Sequence, residues 1–108
     1  MNCGDLVLIR QPGTPTAKPR PCVVVQRNSA LSIAGKVSVC PLTSQLRGTA
    51  GQRPFVAPHE DNGLRVPSEV QVDWIYTHAV EYLGPVIGRI DGATMEQIDI
   101  ALRRWLDL

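Results

Sequence analysis

The chain has 108 residues, 44% hydrophobic and 19% charged, a size that fits a single domain spanning residues 1–108 and excludes two independent ones. Nine glycines and nine prolines point to many turns and short elements and exclude a coiled coil. The formal net charge of +1 conceals a division: residues 1–53 carry seven cations against the single acid Asp5, a balance of +6, whereas residues 54–108 carry four arginines against nine acids, a balance of −5.

Asp5 to Arg10, preceded by Gly4, reads as a buried strand because the run is short, apolar and partly β-branched. Gln11 to Pro19 holds three prolines, one glycine and two threonines, a loop that neither a ladder nor a helix tolerates. Pro21 to Gln26, with three consecutive valines, is the strongest strand signal and predicts burial on both faces. Asn28 to Gly35 is a connection with room for one helical turn, after which Lys36 to Leu42 resumes as a strand. Leu46 to Arg53 is too poor in apolar side chains to pack and predicts a mobile loop.

A short strand at Phe55 to Ala57 leads to a turn signal at Asn62-Gly63, and together they predict a hairpin. From Ser68 to Thr77, Val70, Val72, Trp74 and Tyr76 alternate with Glu69, Gln71, Asp73 and Ile75, the pattern of one half-buried strand. Its larger face assigns Trp74 and Tyr76 to core or dimer packing, with base stacking as the other reading. Val86 to Ile90 is a last strand. Asp91 caps a closing helix whose apolar face is Met95, Ile98, Leu102 and Trp105, widened by Ala101 and Leu106. Early acids and late arginines suit its dipole. The elements predict a mainly β chain, a small bent antiparallel sheet or partly open barrel with a C-terminal helix across it.

Cys3, Cys22 and Cys40 are an odd set without C-x-x-C spacing, so they read as reduced thiols, Cys22 and Cys40 buried and Cys3 exposed. No run reaches the roughly 20 apolar residues of a membrane helix, and no secretory signal opens the chain. A soluble, cytoplasmic protein is expected, with no metal and no cofactor, since nucleotide, zinc and nucleophile-elbow motifs are absent. Two polar clusters at strand edges remain. In Lys18-Pro19-Arg20-Pro21 two prolines hold an arginine extended at a strand entrance, and Thr43-Ser44-Gln45 stands at a strand exit. A guanidinium with hydroxyls suits a phosphodiester, because the first grips two phosphate oxygens and the others donate to a further oxygen or a ribose. The plainer readings are a surface cation stacked on Pro21 and an ordinary strand-end turn.

At these residues the sequence resembles the MazF/PemK family of toxin endoribonucleases. The shared pieces run in order through Gly4-Asp5-Leu6-Val7, Arg20-Pro21 with Val23 to Gln26, Pro41 to Gln45, Val66 to Val70 with Asp73, and Gly88 to Asp91 leading into the helix Ala93 to Leu106. The resemblance implies an SH3-like or CcdB-like barrel that forms a homodimer, cleaves single-stranded mRNA at short motifs without a metal, and is silenced by a cognate, MazE-like antitoxin. It further implies attack by the ribose 2′-OH, giving a 2′,3′-cyclic phosphate and a 5′-OH. The family's arginine falls on Arg20 and its threonine or serine on Thr43, with Ser44 beside it.

Departures leave the general base open. The Glu-Gln pair common before the arginine is absent, Gln71 stands where some relatives have an arginine, and Tyr76 replaces another. Asp73 and His59 are the alternatives, His59 reading otherwise as a solvated turn residue. Lys18, Gln45, Arg47 and Arg53 on loops, with Gln71 and Asp73, are the expected RNA contacts. Two further readings are a CcdB-like gyrase inhibitor, disfavoured by a chain end that lacks Trp-Gly-Ile, and a barrel that binds RNA or a partner without cutting.

Overall fold

The computed structural model describes residues 1–10, 18–28 and 35–108. Most of the loop expected over Gln11 to Pro19 and of the connection expected over Asn28 to Gly35, with its helical turn, lies outside these. Among the described residues seven strands form one sheet: β1 (Asp5–Ile9), β2 (Arg20–Val24), β3 (Lys36–Thr43), β4 (Phe55–Val56), β5 (Ser68–Val70), β6 (Tyr76–Ala79) and β7 (Leu83–Arg89). The helix α1 (Gly92–Leu106) follows. Strand order is β4-β5-β3-β2-β1-β7, with β6 also on β3.

The sheet is buried on both faces, which is why its central strands read as unbroken apolar runs. On the helix side Leu6, Val23, Cys40, Leu42 and Val70 pack with Ile98 and Ala101 of α1. On the other side Val7, Ile9, Cys22, Val24, Val37 and Val39 form a second core, closed by Tyr76 and Leu83. Cys22 and Cys40 are buried as expected, whereas Cys3 is half-buried. Asp91 caps α1, its carboxylate accepting from the Thr94 amide at 3.1 Å and the Thr94 hydroxyl at 2.7 Å.

Three expectations need correction. The alternating run from Ser68 to Thr77 is not one strand. β5 pairs Val70 with Leu42, and β6 pairs Tyr76 with Val39. Between those pairs the chain holds three residues more than β3 spans, and the surplus is a 3-10 turn at Val72–Trp74. Trp74 therefore leaves the sheet and is 63% exposed, while Val72 and Tyr76 enter opposite cores. The last strand starts at Leu83 rather than Val86. Finally, the inward stripe of α1 stops at Leu102, and Trp105 and Leu106 are exposed.

β4 and β5 do form an antiparallel hairpin, but its connection is a long loop folded around buried Asn62 rather than a tight Asn-Gly turn. The Asn62 amide accepts from the backbone N–H of His59 and Leu64 and donates to the Ala57 carbonyl. This loop lies against β7 at Gly88, where an added Cβ would collide with the backbone of Asp61 and Asn62. Gly88→Ala is thus expected to cost about 2 kcal/mol or more. Gly92→Ala, whose Cβ would enter open space at the start of α1, is expected to stay within about 0.5 kcal/mol of the parent. Urea unfolding of the two variants checks the contrast.

Candidate active site

The two polar clusters stand at the ends of neighbouring strands. β2 opens on Arg20 and β3 closes on Thr43. Ile9 of β1 pairs with Arg20, Cys22 of β2 pairs with Pro41, and Thr43 pairs with Glu69 of β5. The β2–β3 register carried two residues further sets Arg20 level with Thr43, so Ile9, Arg20, Thr43 and Glu69 line up across four strands. Residues opposite one another in an antiparallel pair project from the same face. Alternation along each strand makes that the face of Cys22, Val24, Val37 and Val39, the side away from α1.

Arg20 is exposed and Thr43 half-buried. The Thr43 hydroxyl accepts the Gln45 amide at 3.1 Å, a local turn that leaves its own proton for another acceptor. Behind Arg20, the Cys22 thiol lies 3.6 Å from the Arg20 carbonyl and 3.7 Å from the Tyr76 hydroxyl. Burial pushes the Cys22 thiol up to about 11, and the Tyr76 hydrogen bond and the Arg20 charge act the other way. Burial likewise raises the Tyr76 phenol above its ordinary range, while the Arg20 charge opposes the shift. Both side chains are protonated at neutral pH.

Of the residues expected to contact RNA, Lys18, Gln45 and Arg47 are exposed on the segments flanking Arg20 and Thr43. The others are engaged within the protein. Arg53 grips Asp73 with two bonds, Nε to Oδ1 at 3.0 Å and Nη2 to Oδ2 at 2.8 Å. The hydrogen bond from Arg53 holds the Asp73 carboxyl below the usual carboxylate range, so Asp73 is a weak base here. Gln71 is only 8% exposed, and its backbone N–H donates to the Pro41 carbonyl. His59 sits in a turn, its Nδ1 accepting the Asp61 amide, with most of its side chain in solvent.

Sequence reasoning missed Glu69. It is 4% exposed, and its carboxylate accepts the backbone amides of Arg47 and Gly48, each at 3.1 Å. With the Arg53–Asp73 pair and the Arg53 amide on Thr49 Oγ1, it fastens the segment read from sequence as a loose loop. Between this loop and α1 lies a cleft of about 480 Å³, lined by Arg47, Arg53, Asp73, Arg104 and Trp105 among others and separate from Arg20 and Thr43. Among the described residues, no cluster of His, Cys, Asp and Glu is suited to a metal ion and no helix is long and apolar enough to cross a membrane.

The family described as PemK-like, MazF-like toxin of type II toxin-antitoxin system matches residues 2–106. The chain belongs to this family. It is similar to endoribonuclease MazF9 of Mycobacterium tuberculosis, with 34% identity over 103 residues, 89% of this chain and 85% of the relative. In fold it is similar to the M. tuberculosis toxin MazF-mt6, at a TM-score of 0.81 and 26% identity, covering 96% of this chain and 97% of that one. An endoribonuclease solved in complex with its cognate antitoxin from Mycobacterial species shares the fold, at a TM-score of 0.79 and 24% identity over 100% of this chain and 96% of that one. The mainly β toxin fold with one C-terminal helix is thereby shown.

The Arg53–Asp73 pair makes a prediction about pH. Asp73 has its pKa lowered from 3.8 in the folded state, so its contribution is present above pH 3.8 and is lost as pH falls through the depressed value. Asp73→Asn is expected to lower stability by about 1 kcal/mol near neutrality, a figure discounted because Asp73 is 33% exposed. The variant is also expected to lose less than the parent on acidification. Urea unfolding near pH 7 and near pH 3 measures both.

Proposed function

We propose that the chain is a sequence-selective, metal-independent endoribonuclease toxin acting on single-stranded mRNA. The observation that supports this reading is the β2–β3 register at Cys22–Pro41, which, carried two residues further, brings Arg20 level with Thr43 on one face of the sheet. Family membership and the similarity to MazF9, a protein named as an endoribonuclease, support the reaction class.

In the proposed reaction the 2′-oxygen of a ribose loses its proton and bonds to the adjacent phosphorus. The bond from phosphorus to the 5′-oxygen breaks, and that oxygen takes up a proton. The products are a 2′,3′-cyclic phosphate and a 5′-OH. Arg20 clamps the charge that grows on the equatorial oxygens, a role that suits a guanidinium because it keeps its proton and grips two oxygens at once. Thr43 donates its hydroxyl proton to a further phosphate oxygen, with Ser44 beside it. Lys18, Gln45 and Arg47 hold the flanking nucleotides. Arg53, Gln71 and Asp73 shape the site through the loop and strand they fasten, rather than by reaching RNA.

The proposed partners are a second copy of the chain and a small antitoxin whose acidic, disordered segment covers the basic surface. A fold shared with an endoribonuclease solved with its antitoxin supports the latter.

Incubation of the purified protein with long single-stranded RNA in EDTA is expected to give fragments ending in cyclic phosphate. Arg20→Ala is expected to slow cleavage about 10²- to 10³-fold. Intact RNA, or cleavage undiminished in Arg20→Ala, overturns the proposal.

A further inference from the structure

Cys22 joins two residues that are far apart in the chain. Its Sγ lies 3.6 Å from the Arg20 carbonyl oxygen and 3.7 Å from the Tyr76 hydroxyl. A carbonyl only accepts and a thiol has one proton, so the thiol donates to Arg20 and the phenol donates to the sulfur. The three groups form a directed chain, Tyr76 O–H to Cys22 S–H to Arg20 C=O. It crosses β3 obliquely: Tyr76 pairs with Val39, one same-face step from Pro41, and Pro41 pairs with Cys22. The phenol thus runs along the sheet toward the end where Arg20 and Thr43 stand. His78, two residues along β6, meets the Tyr76 ring edge to face at 4.3 Å between centroids and limits its swing.

The anchored backbone is otherwise held on one side, by the pairing of Arg20 with Ile9 of β1. Pro19 and Pro21 on either side of Arg20 have no amide proton to give to a ladder, and β2 begins at Arg20 itself. A side-chain bond to its carbonyl is therefore a second hold on this entrance, beside the pairing with β1. We infer that Tyr76 and Cys22 are positioning residues for Arg20, fixing the strand entrance from which its guanidinium reaches the phosphate. This rests on the reading of Arg20 as the phosphate clamp. It also gives Tyr76 a role as a neutral donor behind the arginine. Burial raises both the phenol and the thiol, so the chain keeps its protons throughout the neutral range.

The test is steady-state cleavage of a long single-stranded RNA by Tyr76→Phe, Cys22→Ala and Cys22→Ser, alone and combined with Arg20→Ala, with the melting temperature of each variant. Tyr76→Phe and Cys22→Ala are expected to lower kcat about three- to tenfold with KM within about twofold. That is less than the hundredfold of a ~1 Å misplacement, because the strand pairing still holds Arg20 approximately. Cys22→Ser retains a donor and is expected to cleave within about twofold of the parent. In the Arg20→Ala background neither substitution is expected to lower the rate further, since residues acting through one group are not additive.

If the parent cleaves and Arg20→Ala is impaired, while Tyr76→Phe and Cys22→Ala match the parent, the positioning role is wrong and the nuclease reading stands. Losses that persist in the Arg20→Ala background also overturn it. If Tyr76→Phe does not fold, the contrast between Cys22→Ser and Cys22→Ala decides. A parent that leaves RNA intact overturns the nuclease reading, and the positioning role falls with it.

Discussion

The pairing of β2 with β3 governs both the core and the candidate site. Along it Cys22 faces Pro41, Val23 faces Cys40 and Val24 faces Val39, so one ladder supplies apolar side chains to both faces of the sheet. Burial on two faces fixes register strongly, because a slip by one residue would move every side chain to the wrong face. Arg20 and Thr43 lie two residues beyond the Cys22–Pro41 end of the same ladder. Their separation is therefore determined by apolar packing several residues away, rather than by any bond between them. A polar site assembled in this way costs little stability of its own, since the strands that carry it are held by the valines behind it.

β3 is the only strand among the described residues with three partners, taking β2 along one edge and β6 and β5 in turn along the other. The change of partner is what shapes the site. Where β6 leaves and β5 arrives, Gln71 bonds to Pro41 and the 3-10 turn sends Asp73 outward to meet Arg53. The segment after Thr43 is then tied from two sides, by Asp73 through Arg53 and by Glu69 through the amides of Arg47 and Gly48. Exposed Gln45 and Arg47 are consequently presented from an anchored loop. This lowers the entropy lost when such a loop orders around a ligand.

What was legible in the sequence follows from the range of each interaction. The valine run of β2, the Asp91 cap and the position of Ile98 on the inner face of α1 are local signals, and the structure bears them out. The break between β5 and β6 was not legible, because alternation of Val70, Val72, Trp74 and Tyr76 describes a strand without saying how many residues its partner has opposite. Nor was the role of Glu69, whose partners are backbone amides without sequence identity. Arg53 and Asp73 lie 20 residues apart, and Cys22 and Tyr76 lie 54 apart. No spacing rule connects such pairs. Arg20 and Thr43 were singled out by residue type at strand edges and by resemblance, and only the register relates one to the other.

The division of charge along the chain takes on a different meaning once folded. In sequence the basic half and the acidic half are separate blocks, which would suggest a molecule with one positive and one negative end. Folding instead brings Glu69 and Asp73 from the acidic half onto the basic loop, where Glu69 takes backbone amides and Asp73 takes Arg53. Arg53 is thereby neutralised and drawn in to 12% exposure, while Lys18, Arg20 and Arg47 stay exposed. The positive surface at the candidate site is thus smaller than the count of +6 implies, but it is better placed. Cations paired internally do not compete for phosphates, and of those left exposed Lys18 and Arg47 flank the strand ends where Arg20 and Thr43 stand. On the proposed reading, cations placed there orient a strand of nucleic acid as well as attracting it.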